Sequence, residues 1–338
     1  MEKELSISFL LPCYNVAKYV EECIESIMRQ ELENFEIICV DDCSTDDTYS
    51  VLCELSRHNA NIKVLKNKEN QGVSYTRNVA LKAAQGEYIW FVDPDDLLYP
   101  GAAKQLAKVA ASGVDYVAGN YLEYDDSFSL KDLDALPIFD HSASVEGGED
   151  FVPVCTNQNG AIAGSVCLGI RRRKFLINNN LFFNEKVHMT EDVLFNFLCE
   201  QHPRSCMKIE ANVYIYRVHE HSATTEKTSS KIEKTVASEI ELIKIYTSFK
   251  GKDNAKDVQK IENRILFLRE DCLLNLTKIR NRATVKYYLN ELKSIGLYPW
   301  RRKINGGKGL RALNANLIGR PPVFWLNHFL RALFKKNY

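Results

Sequence analysis

Apolar and polar blocks alternate over the first 120 residues. SISFLL (6–11), EIICV (36–40), IKVL (62–65), EYIWFV (87–92) and DYVAGNY (115–121) are short apolar runs bounded by polar turns, the pattern of buried strands. Between them apolar residues fall at helical spacing: first Ala17, Val20, Ile24, Ile27 and Met28, then the stretches Ser44 to about His58, Gly72 to Ala84 and Tyr99 to Ala111. Ser44 with Asp47 three residues on predicts a capping box opening the second helix, with Asp in the usual Glu/Gln place. Such alternation predicts an α/β domain whose parallel sheet is covered on both faces and whose connections are right-handed. PCYN (12–15), DDCSTDD (41–47) and DPDD (93–96) each follow a strand directly, so they share the carboxyl edge where open α/β sheets bind ligands.

Periodicity weakens over residues 125–160, which are polar and contain glycines, and a loop or small insertion is expected there. It resumes with a strand at SVCLGI (165–170), a short helix from Arg171, a helix over TEDVLFNFLCE capped by Thr190, and a last strand NVYIYRVH (212–219). After about Ser230 the pattern is almost wholly helical. The expected organisation is a domain over 1–228 and a helical region over 229–338.

Composition changes this picture little. The 338 residues are 45% apolar and 26% charged, an ordinary globular balance, and the formal net charge of zero argues against a general nucleic-acid binder. Ten cysteines show no C-x-x-C pair, as expected of reduced thiols in a cytosolic protein. ISFLL is too short for a signal-peptide core and follows Glu2 and Glu4, and no apolar run reaches membrane-spanning length. The expected location is the cytoplasm, or a membrane face exposed to it. Charge is uneven: from Trp300 to Tyr338 there are nine Lys/Arg and no Asp or Glu. Within that stretch Val323, Leu326, Leu330 and Leu333 share one helical face opposite Asn327, His328, Arg331 and Lys335. A basic amphipathic helix suits a membrane surface, and equally a helix docked on the core.

The first strand-to-helix turn, LPCYNVAKY, has neither G-x-G-x-x-G nor a P-loop, so backbone cannot cradle a pyrophosphate there. Asp93, Asp95 and Asp96 in EYIWFVDPDDLL (87–98) repel one another at the end of a buried strand, and a cation would relieve them. Hard oxygen ligands suit Mg²⁺ or Mn²⁺ bridging to a diphosphate. Taken alone, the stretch fits a solvated acidic turn as well as a site.

LPCYN, VDDCSTDDT, NQGVSYTRN, FVDPDD and TED, in this order and spacing, resemble the family 2 glycosyltransferases of the GT-A fold. YIYRVHEHSAT is similar to the end of that core in bacterial members that build surface polysaccharides such as capsule, and the resemblance covers roughly 5–225. It implies a mostly parallel central sheet and an inverting transferase acting on a nucleotide-sugar donor, most simply UDP-linked. The implied acceptor is a hydroxyl of a glycan or lipid-linked saccharide, with no nucleic-acid partner. By resemblance Pro12, Tyr14 and Asn15 line the base and ribose pocket. Asp41 accepts from uracil N3–H while Asp42 and Ser44 support its loop, and Gly72 and Arg77 lie near the nucleotide. Asp93 and Asp95 form the D-x-D that touches ribose and ligates metal, and Asp96 extends the cluster. His219 completes the metal or diphosphate site with Arg217 and Ser222 nearby. Asp192 is the general base, and Glu191 binds acceptor hydroxyls. Two other classes remain open. A nucleotidyltransferase should carry a basic Gly-rich loop near the start, and none is present; a non-catalytic nucleotide-sugar-binding scaffold should have lost the D-x-D or TED acids, and both are kept.

Overall fold

The computed structural model describes residues 5–137, 144–219, 228–250 and 258–298. The chain divides into two compact units, residues 1–185 with 191–222, and residues 186–190 with 223–338.

The first unit runs β1 (Ile7–Cys13), α1 (Val20–Met28), β2 (Phe35–Asp41), α2 (Thr48–His58), β3 (Ile62–Lys66), α3 (Val73–Ala83), β4 (Tyr88–Phe91), β5 (Leu97–Leu98), α4 (Ala102–Ala110), β6 (Tyr116–Asp125), β7 (Val145–Glu149), β8 (Cys155–Thr156), β9 (Ile162–Ala163), β10 (Gly169–Arg172), α5 (Arg173–Asn178), α6 (Glu191–Glu200) and β11 (Ser205–Val218). The main sheet has the order β3-β2-β1-β4-β10-β6-β11-β5, with β7 on β11. β3, β2, β1 and β4 are all parallel. Every residue of β1 and β4 is buried, as their unbroken apolar runs require for strands covered on both faces.

The sheet is mixed rather than uniformly parallel, because β10 enters antiparallel between β4 and β6. Gly169 permits that pairing: at φ 155° a Cβ there would stand 2.1 Å from the Val117 carbonyl oxygen. The expected 125–160 loop contains β7, whose residues VEGGE are all exposed and so carry no apolar alternation. β7 pairs antiparallel with Ser205–Ile209, the half of β11 that precedes the expected strand.

One aromatic cluster bears directly on function. Phe91, at the end of β4, packs edge-on against Phe183 and Phe195 at 5.2 and 5.7 Å, and those two rings stack at 4.2 Å. Phe195 lies on α6. The start of α6 is thereby fixed against the strand that delivers the DPDD turn.

In the second unit α7 (Ser229–Lys250), α8 (Val258–Leu276) and α9 (Arg282–Ser294) bury apolar faces that include Val236, Ile243, Leu273 and Leu292. The Asn281 side chain caps α9 by accepting from the Ala283 amide at 2.9 Å. Segment 186–190 joins this unit, where the His188 amide donates to Ser238 Oγ at 2.9 Å. Among the described residues no helix is long and apolar enough to cross a membrane. The amphipathic stretch 321–338 lies outside the described residues.

Candidate active site

The loops after β1 and β2 lock each other. The Asn15 amide donates to Ser44 Oγ at 3.1 Å, and Asn15 Oδ1 accepts from the Thr45 amide at 2.8 Å. Asn15 and Cys43 adopt φ values of 53° and 60°, sharp reversals that this exchange holds in place. The capping box is not formed. α2 begins at Thr48 behind Asp47, whose side chain makes no cap bond, and the Ser44 oxygen is taken by Asn15 instead. Pro12 is buried at the end of β1, paired with Val40, and Tyr14 stands 46% exposed just beyond.

Asp41 and Asp42 are adjacent, both buried and put to different uses. Asp42 accepts from Asn67 Nδ2 at 2.7 Å and the Gln71 amide at 2.9 Å on Oδ1, and from the Gly72 amide at 2.7 Å on Oδ2. It thus pins the 67–72 turn in which Gly72 takes φ 86° and opens α3. Asp41 accepts from the Ser44 amide at 3.3 Å on Oδ1, while its Oδ2 accepts no hydrogen bond and Lys66 Nζ stands 3.4 Å away. That ammonium also lies 3.9 Å over the Tyr49 ring.

The three carboxylates after β4 separate. Asp96 is buried, with Oδ2 accepting from the Tyr214 hydroxyl and Oδ1 from the Arg217 amide, both at 2.8 Å. Burial, then repulsion from Asp95 and Asp93, pushes its carboxyl well above the usual range. Asp96 therefore does not extend an open cluster; it ties the turn to β11. Tyr214 in turn accepts from the Asp93 amide at 3.0 Å. Asp93 and Asp95 keep side chains 33% and 25% exposed.

His219 is buried, tilts on the Tyr19 ring at 4.7 Å and brings Nε2 to 3.0 Å from Asp95 Oδ2, while its Nδ1 has no partner. Arg217 is not open to a diphosphate: its guanidinium pairs with Glu22 at 2.9 Å and lies 5.2 Å over Tyr19. Ser222 lies outside the described residues.

Among the described residues no group of three or more His, Cys, Asp or Glu side chains is arranged to hold a metal ion. Asp95 and His219, in contact at 3.0 Å, are the residues that could hold a divalent cation. One carboxylate and one imidazole would suit Mn²⁺ better than Mg²⁺.

Arg77 is engaged by two carboxylates. Its side chain, 5% exposed on α3, bridges Asp93 Oδ1 at 2.7 Å and Glu191 Oε1 at 2.8 Å, with the guanidinium 5.2 Å over Phe183. Burial opposes its charge, but Asp93 and Glu191 outweigh burial and hold it protonated. Asp192, beside Glu191 in the first turn of α6, is pushed up to about 6 by burial and by the Glu191 charge, with Arg77 pulling the other way. Thr190 does not cap as expected: at φ 60° its hydroxyl donates to the Met189 carbonyl at 2.6 Å.

Comparison with known proteins bears on this edge. The family profile described as Glycosyl transferase family 2 matches residues 8–175, which contain the β1, β2 and β4 turns. Residues 8–175 belong to glycosyl transferase family 2. EpsH of Bacillus subtilis (strain 168) is 29% identical over 217 residues, 63% of this chain and 61% of EpsH. The poly(ribitol-phosphate) beta-N-acetylglucosaminyltransferase TarS of Staphylococcus aureus is 29% identical over 216 residues, 63% of this chain and 35% of TarS. The chain thus spans less than two thirds of either relative. Among solved structures, S. aureus TarS 1–349 in complex with UDP-GlcNAc superposes with a TM-score of 0.57 at 20% identity, covering 89% of this chain and 95% of that one. The mannosyltransferase PcManGT of Pyrobaculum calidifontis, in complex with GDP-Man and Mn²⁺, gives 0.51 at 15% identity over 98% and 88%. These likenesses establish the GT-A fold for this chain.

Several residues that shape this edge escape sequence reasoning. Tyr214, Asn67, Lys66 and Glu22 act only through partners brought near by the sheet.

Proposed function

We propose that this chain transfers a sugar, with inversion, from a UDP-sugar to a hydroxyl of a glycan or lipid-linked acceptor in cell-surface polysaccharide synthesis. The observation that carries the reading is the single guanidinium of Arg77 joining the Asp93 turn, where a donor would bind, to Glu191 beside Asp192. Donor side and base side of a displacement thereby face one another. The names of TarS and the UDP-GlcNAc held in its structure support both the donor class and the setting.

In this reading Tyr14 and the Asn15–Ser44 exchange shape the base pocket, and Asp41 offers its unpartnered oxygen to a base N–H once Lys66 moves aside. Asp93 keeps Oδ1 on Arg77 and turns its other oxygen to the ribose. Asp95 and His219 would hold the divalent cation, which supplies positive charge to the departing diphosphate. Asp192 takes the proton from the acceptor hydroxyl as that oxygen attacks the anomeric carbon, and a base titrating near neutrality suits this task. Glu191, held by Arg77, borders the acceptor. Work at the cytoplasmic membrane face, with the basic stretch 321–338 as its contact, belongs to the same proposal.

A donor panel tests it. UDP-glucose, UDP-galactose, UDP-N-acetylglucosamine and GDP-mannose are incubated with Mn²⁺ or Mg²⁺ and nucleotide release is followed. A UDP-sugar should be turned over and Asp95→Ala should abolish turnover. Turnover of none, or only of GDP-mannose, overturns the reading.

A further inference from the structure

Arg77 joins two acids from separate elements: Asp93 in the turn after β4 and Glu191 in the first turn of α6. Its side chain is 5% exposed, with one face over Phe183 and Nε buried without a partner, so neither its position nor its charge is set by solvent. The Phe91, Phe183 and Phe195 rings fix the backbones of both elements, and the fork then fixes their carboxylates.

Resting on the transferase reading above, we propose that Arg77 is a positioning residue: it aims Glu191 and Asp192 at a donor anchored by Asp93 and does not itself contact the donor. The two arms are matched in length, 2.7 and 2.8 Å, as a planar guanidinium shared between two carboxylates requires. With Asp93 Oδ1 held, one oxygen of Asp93 is left to turn outward. With Glu191 held, the neighbouring Asp192 keeps a fixed bearing on the same turn. The charges facing Asp192 are Glu191 on its own helix, Arg77 from α3 and Asp93 from the β4 turn; Arg77 is the cation among them and favours the ionised base.

Charge and fork geometry can be separated by two variants. Arg77→Gln removes both, and Arg77→Lys keeps the charge but cannot span two carboxylates as a planar fork. The Asp192 carboxyl is titrated by ¹³C NMR in full-length protein, UDP affinity is measured by calorimetry with Mn²⁺, and UDP release is followed from UDP-glucose, UDP-galactose and UDP-N-acetylglucosamine. In Arg77→Gln the Asp192 midpoint should move up by about one pH unit or more. In Arg77→Lys it should stay near that of the parent, while UDP release falls on the order of 100-fold from misplacement alone. UDP affinity should fall much less than the rate in both variants, because Arg77 reaches the nucleotide only through Asp93. Two results overturn the proposal: an unmoved Asp192 midpoint in Arg77→Gln, or UDP affinity falling in step with rate. If Arg77→Gln does not fold, Arg77→Lys decides, since an unchanged rate there contradicts the need for the fork. Absence of UDP release from the parent chain with all three donors overturns the transferase reading itself, and the NMR midpoint still reports on the Arg77 link.

Discussion

Asp96 Oδ2 accepts from the Tyr214 hydroxyl at 2.8 Å, and that same hydroxyl oxygen accepts from the Asp93 amide at 3.0 Å. One phenol therefore sets the shape of the DPDD turn from a strand 118 residues further along the chain. Neighbouring aspartates consequently have opposite uses. Asp96→Ala should cost about 3 kcal/mol of stability, since it leaves a buried hydroxyl and amide without their acceptor. Asp95→Ala should cost about 1 kcal/mol, from the stranded His219 ring, and abolish donor turnover. Thermal unfolding of both variants beside a turnover assay checks the contrast.

Asp42 holds three donors of the 67–72 turn. Asp42→Ala should destabilise the protein by about 2–4 kcal/mol, as loss of a buried charged acceptor with several partners does. The loss should be local first, with hydrogen exchange at the Gln71 and Gly72 amides accelerating before that of β1. Unchanged protection at those two amides would contradict the pinning role.

Asp192 gives a pH dependence whose sign is fixed. Burial and the Glu191 charge push its folded carboxyl up to about 6, above the ordinary aspartate range. The folded state therefore binds this proton more tightly than the unfolded chain, and stability from this group is present at low pH and lost as pH rises through about 6. Asp192→Asn should be more stable than the parent at pH 8, by up to about 3 kcal/mol, and show little gain at pH 4. Turnover runs the other way, rising with pH through about 6 as the base ionises. Unfolding of parent and variant at pH 4 and pH 8 tests the first half, and a pH–rate profile the second.

The strand–helix alternation and the gathering of PCYN, DDCSTDD and DPDD on one edge were legible because buried parallel strands need continuous apolar runs and turns must follow them. The duty of each carboxylate was not. Asp95 and Asp96 are neighbours in sequence, and only the distant Tyr214 and His219 separate their roles. The resemblance places Arg77 of TRN near the nucleotide, but not its carboxylate partners, since Asp93 and Glu191 come from separate parts of the chain. Ser44 followed by Asp47 has the spacing of a helix cap, but a tertiary bond to Asn15 claims its oxygen. β7 left no signal because an exposed edge strand has no buried face to alternate.

The basic amphipathic stretch 321–338 should bring the chain to anionic membranes. Sedimentation with vesicles of phosphatidylglycerol should recover the full chain and not one truncated after residue 319, and added salt should weaken the binding. Equal recovery of both would contradict a membrane role for the tail.

The most direct test of the central claim compares the parent with Asp192→Asn in one experiment, reading UDP affinity by calorimetry with Mn²⁺ and UDP release from the preferred UDP-sugar. The expected result is UDP affinity within about threefold of the parent with turnover reduced about 10²- to 10⁴-fold, the loss that follows removal of a general base. Turnover at the parent rate in Asp192→Asn, or a parent chain that neither binds UDP nor releases it from any UDP-sugar, would contradict the account.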